Sequence, residues 1–303
     1  MRKLLNGFLI RKKKMNKKEK MILVTGGAGF IGSHLIEELV KNPENKVISL
    51  DNYFTGKVEN HIAGAEYREG DTREIEKNIL EKPDIVYHLG EYSRVEKSFD
   101  DVETVWNLNA LGTFKVLEFC RKTGAKMVYA GSSTKFGDNG LGIHQSPYAW
   151  TKAVNTELVK NYGNWFGLKY AITYFYNVYG PREISEGSYA TVIGIFKEQL
   201  RKGIPLTVVS PGDQRRNFTH IKDIVKGLIL VGEKGEGDEY GLGDERSYSI
   251  FEIAEMFGGE IKMLPERKGN RLGSSIDTSK SKNLGWRADL KVEDYIKDLI
   301  SSV

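Results

Sequence analysis

The sequence predicts an α/β protein: a doubly wound parallel sheet followed by a smaller C-terminal α/β lobe. Three observations predict it. From residue 21 to about 176, short apolar runs alternate with amphipathic helical stretches, the pattern of a parallel sheet covered by helices on both faces. The first apolar run ends in closely spaced glycines. Beyond Asn177 the chain carries more Gly, Pro and charge in scattered short elements such as "PLTVVS" and "YSIFEIAEMFG".

Taken in order, "MILVT" (21–25) is a buried strand and "GSHLIEELVK" (32–41) has helical spacing. "KVISLD" (46–51), "DIVYHLG" (84–90), "KMVYAGSS" (126–133) and "KYAITYFYNVYG" (169–180) are further strands, with helical stretches between them. The expected division is a basic, disordered extension over 1–20, a first domain over 21–176, and a second lobe over 177–217 and 234–303. Residues 218–233 are expected to pack back on the first domain.

The 303 residues suffice for a full core. No apolar run approaches the roughly 18 residues of a membrane span. The one cysteine, Cys120, excludes an internal disulfide and a cysteine metal cluster, and reads as a small buried hydrophobe in a reducing cytoplasm. Residues 1–20 hold nine Lys/Arg and one Glu. Without them 36 basic residues face 40 acidic ones, so the body is mildly acidic. The tail has no secretory cleavage pattern, and Met15 and Met21 follow as alternative starts. Neither a nucleic-acid partner nor a membrane is expected. The five histidines, His34, His61, His88, His144 and His220, show no metal spacing, so no metal is expected.

"VTGGAGFIGSHL" places Gly26, Gly29 and Gly32 between a strand and a helix. The first allows a tight turn, the second lets backbone approach a pyrophosphate, and the third lets helix and sheet pack closely. A diphosphate then sits at a helix N-terminus. This is a Rossmann-type dinucleotide turn. Asp51 ends the second strand 19 residues beyond Gly32, where a carboxylate accepts from the adenosine ribose and repels a 2′-phosphate. No arginine follows in "DNYFTGK", so NAD is expected rather than NADP. Asp71 reads either as a contact to the adenine amino group or as a solvated loop aspartate.

Tyr148 and Lys152 are four residues apart, on one face of a helix. A phenol titrates near pH 10, and a nearby ammonium lets it serve as a base closer to neutrality. Ser132, just after a strand, adds a hydroxyl to share the substrate proton.

"TGGAGFIGSHL", "DN", "HLG", "NALGT", "GSSTKFG", "SPYAWTK" and "YNVYGPR" occur in the order of the extended short-chain dehydrogenase/reductases. Over residues 21–300 the chain most resembles the nucleotide-sugar 4-epimerase and dehydratase family. The resemblance implies a tightly held NAD contacted by Gly26, Gly29, Phe30, Ile31, Asp51, Asn52, Asp71, Thr72, Leu89, Gly90, Asn109, Tyr148 and Lys152. For the substrate, a UDP-sugar, it implies Ser93, Ser132, Asn177, Val192, Arg216, Arg267 and Ser274. Asn177, Arg216 and Arg267 would hold the diphosphate, a task suited to guanidinium forks. It also implies a homodimer through helices near 100–120 and 148–165.

In the same family, dehydratases resemble Thr-Asp-Glu where this chain has Ser132, Ser133 and Thr134, and 4-epimerases resemble Ser-x-Thr. The trio therefore implies epimerisation at C4, with Tyr148, Lys152 and Ser132 as the catalytic set. Other epimerases, a dehydratase or a reductase remain as enzyme alternatives, and a non-catalytic NAD sensor as the alternative outside enzymes. A small Ser274 implies room for N-acetylated sugars; the bland alternative is an ordinary loop serine. Two departures from the family stand out. Only ten residues separate Gly137 from Tyr148. Gly90-Glu91 stands where Ala-Ala is usual, and Glu91 reads as either a functional acid or a loop or buried hydrogen-bonded glutamate.

Overall fold

The computed structural model describes residues 19–136, 142–266 and 276–302. The strands β1 (Lys20–Thr25), β2 (Asn45–Asp51), β3 (Ala65–Glu69), β4 (Ile85–His88), β5 (Lys126–Ser132) and β6 (Tyr170–Phe175) form one sheet. Their spatial order is β6-β5-β4-β1-β2-β3, and a seventh strand, Gly237–Leu242, pairs with the open edge of β6. Every pairing is parallel. The chain winds outward from β1 to β3, then restarts at β4 on the other side of β1. That reversal opens a crevice at the carboxyl ends of β1 and β4, where such sheets bind ligands.

Both faces of the sheet are covered. One carries Val116, Leu117, Phe119 and Cys120 from the helix Gly112–Thr123, with Val159 and Tyr162 from the long helix Pro147–Phe166. The other carries Leu35, Ile36 and Leu39 from the helix Phe30–Leu39, with Ile221, Ile224 and Leu228 from the helix Ile221–Lys234. Each such side chain contributes about 1.5–3 kcal/mol by leaving water. Cys120 is fully buried among them, and burial pushes its thiol up.

The predicted strand over 169–180 is interrupted. It ends at Phe175 and resumes as the two-residue strand Val178–Tyr179, because Asn177 takes a left-handed φ of 34° that asparagine tolerates better than most residues. Helix Ile221–Lys234 packs beside the helix Phe30–Leu39 on one face of the large sheet. Strand Gly237–Leu242 joins the large sheet, and Trp286 is buried on the same core, its Nε1 donating to Asp223 O at 2.8 Å. The reason is the edge of β6, whose backbone groups need a partner. The second lobe has its own core of Phe196, Leu206, Val208, Ile253, Phe257 and Ile296.

Candidate active site

A cleft of about 620 Å³ runs from the carboxyl ends of β1, β2, β4 and β5 to the second lobe. At one end is the glycine turn. Gly26 has φ 73°, and a Cβ there would lie 2.8 Å from the Gly90 backbone, so the turn nests against the end of β4. A Cβ on Gly32 would lie 2.1 Å from Gly26 O, so only glycine lets the helix start this close to the turn. No side chain caps the N-terminus of the helix Phe30–Leu39, and Gly29, Phe30 and Ile31 line the cleft there, an arrangement suited to a diphosphate.

Asp51 is 6 % exposed. Its carboxylate accepts from Ala28 N at 2.9 Å and from Tyr53 N at 2.8 Å. Burial outweighs these donors and raises its pKa. The residue thus ties the glycine turn to the loop after β2 as well as lining the cleft. Asp51→Ala should weaken NAD about tenfold or more, the worth of a hydrogen bond to a charged group, and relax discrimination against NADP. Titration with both dinucleotides checks this, and a wild type that prefers NADP would overturn the assignment.

Asn52, Leu89, Gly90, Ser93, Asn177, Val192 and Arg216 also line the cleft. Tyr148 and Lys152 line it from one face of the long helix, which is capped by the Ser146 hydroxyl accepting from Ala149 N at 3.0 Å, with Pro147 opening its first turn. Arg267 and Ser274 lie outside the described residues.

Four expected residues do not line the cleft wall. Ser132, at the end of β5 and 8 % exposed, lies beside it, and its Oγ accepts from Thr134 Oγ1 at 2.9 Å. Asp71 is held by Arg73, whose Nε donates at 2.8 Å, and by Asn52 Nδ2 at 3.0 Å. Burial pushes its pKa up, but these hydrogen bonds outweigh it and leave the pKa lowered. Thr72 is buried against Gly112. Asn109 is fully buried in a π-helical segment, Trp106–Leu111. Its Oδ1 accepts from Tyr92 N at 2.7 Å and its Nδ2 donates to Thr151 Oγ1 at 3.2 Å, so it braces the wall from behind.

Glu91 is a buried, hydrogen-bonded glutamate, the second of the two expectations. It forms an ion pair with Lys152, whose Nζ also donates to Ala130 O. Burial lowers the neighbouring His88 to about 4, so the ring is neutral. It bridges Thr25 Oγ1 at 2.8 Å and Thr113 Oγ1 at 3.0 Å. Sequence reasoning passed over Arg94, Phe54 and Tyr92 on the cleft wall. Phe54 and Tyr92 pack with Tyr189 at centroid distances of 5.5–5.9 Å. The aromatic pair in "DNYFTG" is the signal that could have drawn attention to Phe54.

The model of the NAD-dependent epimerase/dehydratase family matches residues 22–243. A Methanocaldococcus jannaschii protein with a provisional UDP-glucose 4-epimerase name is 33% identical, over 93% of this chain and 97% of its own length. An Arabidopsis thaliana UDP-glucuronic acid decarboxylase is 31% identical, over 94% of this chain and 89% of that protein. The solved UDP-glucose 4-epimerase of Thermus thermophilus, in complex with NAD, aligns with TM-score 0.83 and 30% identity, over 93% and 98% of the two chains.

Proposed function

The chain belongs to the NAD-dependent epimerase/dehydratase family, its cofactor is NAD, and we propose that it epimerises C4 of a UDP-hexose. The observation that carries this reading is the uncharged trio Ser132, Ser133 and Thr134 between β5 and the Tyr148/Lys152 helix. Elimination of water needs an acid and a base there, and hydroxyls supply neither. The nearby carboxylate, Glu91, is engaged by Lys152.

In this reading Tyr148 accepts the C4 hydroxyl proton, with Ser132 sharing the hydrogen bond. Bound NAD would supply the acceptor for the C4 hydride and the donor that returns it. Lys152 offers its ammonium to the tyrosine and the ribose. Asn177, Arg216 and Arg267 hold the diphosphate while the 4-keto sugar turns over. Tyr148 then returns its proton as hydride arrives at the opposite face, so no net oxidation remains. UDP-glucose and UDP-galactose are the first candidates, and Ser274 extends the proposal to the N-acetylhexosamines. Product NMR with a panel of UDP- and dTDP-sugars tests it. C4 epimers should form without consumption of added NADH; stoichiometric NADH consumption means a reductase, and no conversion means a sensor.

A second reading has one observation in its favour. Arg94 Nε is buried without a hydrogen-bond partner among the described residues, and the residue lines the cleft. A guanidinium there suits a sugar carboxylate. Oxidation at C4 of a uronate places the ketone β to that carboxylate, and CO₂ then leaves readily. Release of CO₂ from UDP-glucuronate would select decarboxylation.

The homodimer belongs to the same proposal. Trp106, Leu111, Phe114, Trp150 and Val154 are 37–50 % exposed on two adjacent helical stretches, and Trp106 stacks on Trp150 at 5.7 Å. Apolar exposure of this kind marks an interface. Trp150→Glu with Trp106→Glu should give monomers by sedimentation, and an unchanged mass would remove this face as the interface. No helix of the described residues is long and apolar enough to cross a membrane. The single, fully buried Cys120 thiol supports a reducing compartment, the cytoplasm, as part of the same proposal.

A further inference from the structure

The carboxylate of Glu91 is held on every side. Its Oε1 accepts from Thr113 Oγ1 at 2.9 Å, Asn155 Nδ2 at 3.0 Å and Tyr129 OH at 3.1 Å, and its Oε2 takes the Lys152 ammonium. The side chains of Lys152 and Glu91 are 5% and 4% exposed. Lys152 Nζ lies 4.4 Å from the centroid of the Tyr129 ring. With Glu91 and Ala130 O each taking one of its three hydrogens, one direction is left for anything else. The donors converge in a directed chain. Thr113 Oγ1 spends its one hydrogen on Glu91, so the neutral His88 ring must donate to Thr113 from Nε2 and accept the Thr25 hydroxyl at Nδ1. The glycine-turn strand, the helix Gly112–Thr123 and the long helix are thereby joined at one carboxylate.

We propose that Glu91 is a positioning residue that aims the Lys152 ammonium and offsets its charge, setting the electrostatic field at the Tyr148 phenol and at the cofactor ring. This rests on the reading of Tyr148 as the proton acceptor of a nucleotide-sugar reaction. The titratable groups around Glu91 are His88 from β4, Tyr129 from β5 and Lys152 from the long helix; the Tyr148 phenol interacts electrostatically with Tyr129 and with the Arg94 guanidinium. The flanking helix contributes Thr113, which is neutral. Burial holds His88 down near 4 and pushes Tyr129 well up, so neither titrates across the working range.

The test combines pH profiles of kcat/KM with sugar-free titrations by NAD⁺ and NADH of the purified protein freed of bound dinucleotide. Glu91→Gln removes the offsetting charge. The acid limb should then move to lower pH by about 1 unit, the lower end of what a neighbouring charge does. The ratio of the NAD⁺ to the NADH dissociation constant should rise about tenfold, since a single charge unit of that size acts on the cationic ring. Glu91→Asp keeps the charge and should leave the limb in place while slowing turnover. Tyr129→Phe keeps the ring under Lys152 and removes one donor from the carboxylate, so the limb should move the other way, by roughly a few tenths of a unit. If Glu91→Gln does not fold, Tyr129→Phe decides alone. A limb and a ratio that stay put in folded variants overturn the inference. A wild type that converts no nucleotide sugar overturns the reaction reading, while the dinucleotide ratio still decides the role of Glu91.

Discussion

Tyr148→Phe should lower kcat at least about 100-fold while leaving fold and NAD affinity intact. The size is the usual worth of a positioned acid or base. The selectivity follows from where the side chain sits. Its ring packs against the cluster of Tyr92, Val105 and Leu108, and phenylalanine keeps that packing. The hydroxyl is the part that faces the cleft chemistry in the proposed mechanism. Without it, C4 oxidation must release a proton with no acceptor. Ser132→Ala should cost less, because the phenol remains and the serine hydroxyl is already bonded to Thr134. Steady-state kinetics, dinucleotide titration and circular dichroism of the two variants check this. Near-normal turnover of Tyr148→Phe would sink the mechanism.

The parts of the site legible in the sequence are those whose physics is local. The glycine turn reads from spacing alone, because a tight turn and a helix start must be adjacent in the chain. Tyr148 and Lys152 read from the helical repeat for the same reason. Strands β1, β2, β4 and β5 were legible within about two residues, since burial on both faces forces continuous apolar runs. The strand Gly237–Leu242 was not, because "GDEYGL" is polar at its start and is recruited only by the open edge of β6. β3, "AEYRE", is an edge strand with partly exposed side chains for the same reason.

Glu91 shows the other limit. Its sequence neighbours say nothing of Lys152, Thr113, Tyr129 or Asn155, which arrive from three other elements. From the chain alone Glu91 reads as a functional acid or as a loop or buried hydrogen-bonded glutamate, and only the fold supplies the partner. Asp71 is the converse. Its partner Arg73 stands two residues on in "DTR", so the ion pair that holds it was readable from the chain.

Lys152→Met should abolish nearly all turnover and also destabilise the protein, and the two losses should separate. Loss of the ammonium removes the charge beside the phenol and the donor offered to the ribose, so kcat should fall by about 100-fold or more. Stability should fall by about 3–5 kcal/mol, because removing one partner of a buried ion pair strands the other. Glu91 would keep its three neutral donors but no counter-charge, and Ala130 O would lose a donor. A second substitution tells the two effects apart. Glu91→Gln added to Lys152→Met removes the stranded charge, so most of the stability should return while activity does not. The pair is strongly coupled, so the double variant should be far more stable than the sum of the single losses. Urea unfolding of the wild type, both singles and the double gives the coupling, and turnover of the same four proteins gives the activity. A Lys152→Met protein as stable as the wild type would mean that the ion pair is not a buried one in solution. A double variant no more stable than Lys152→Met would mean that the loss arose from packing rather than from an unpaired charge.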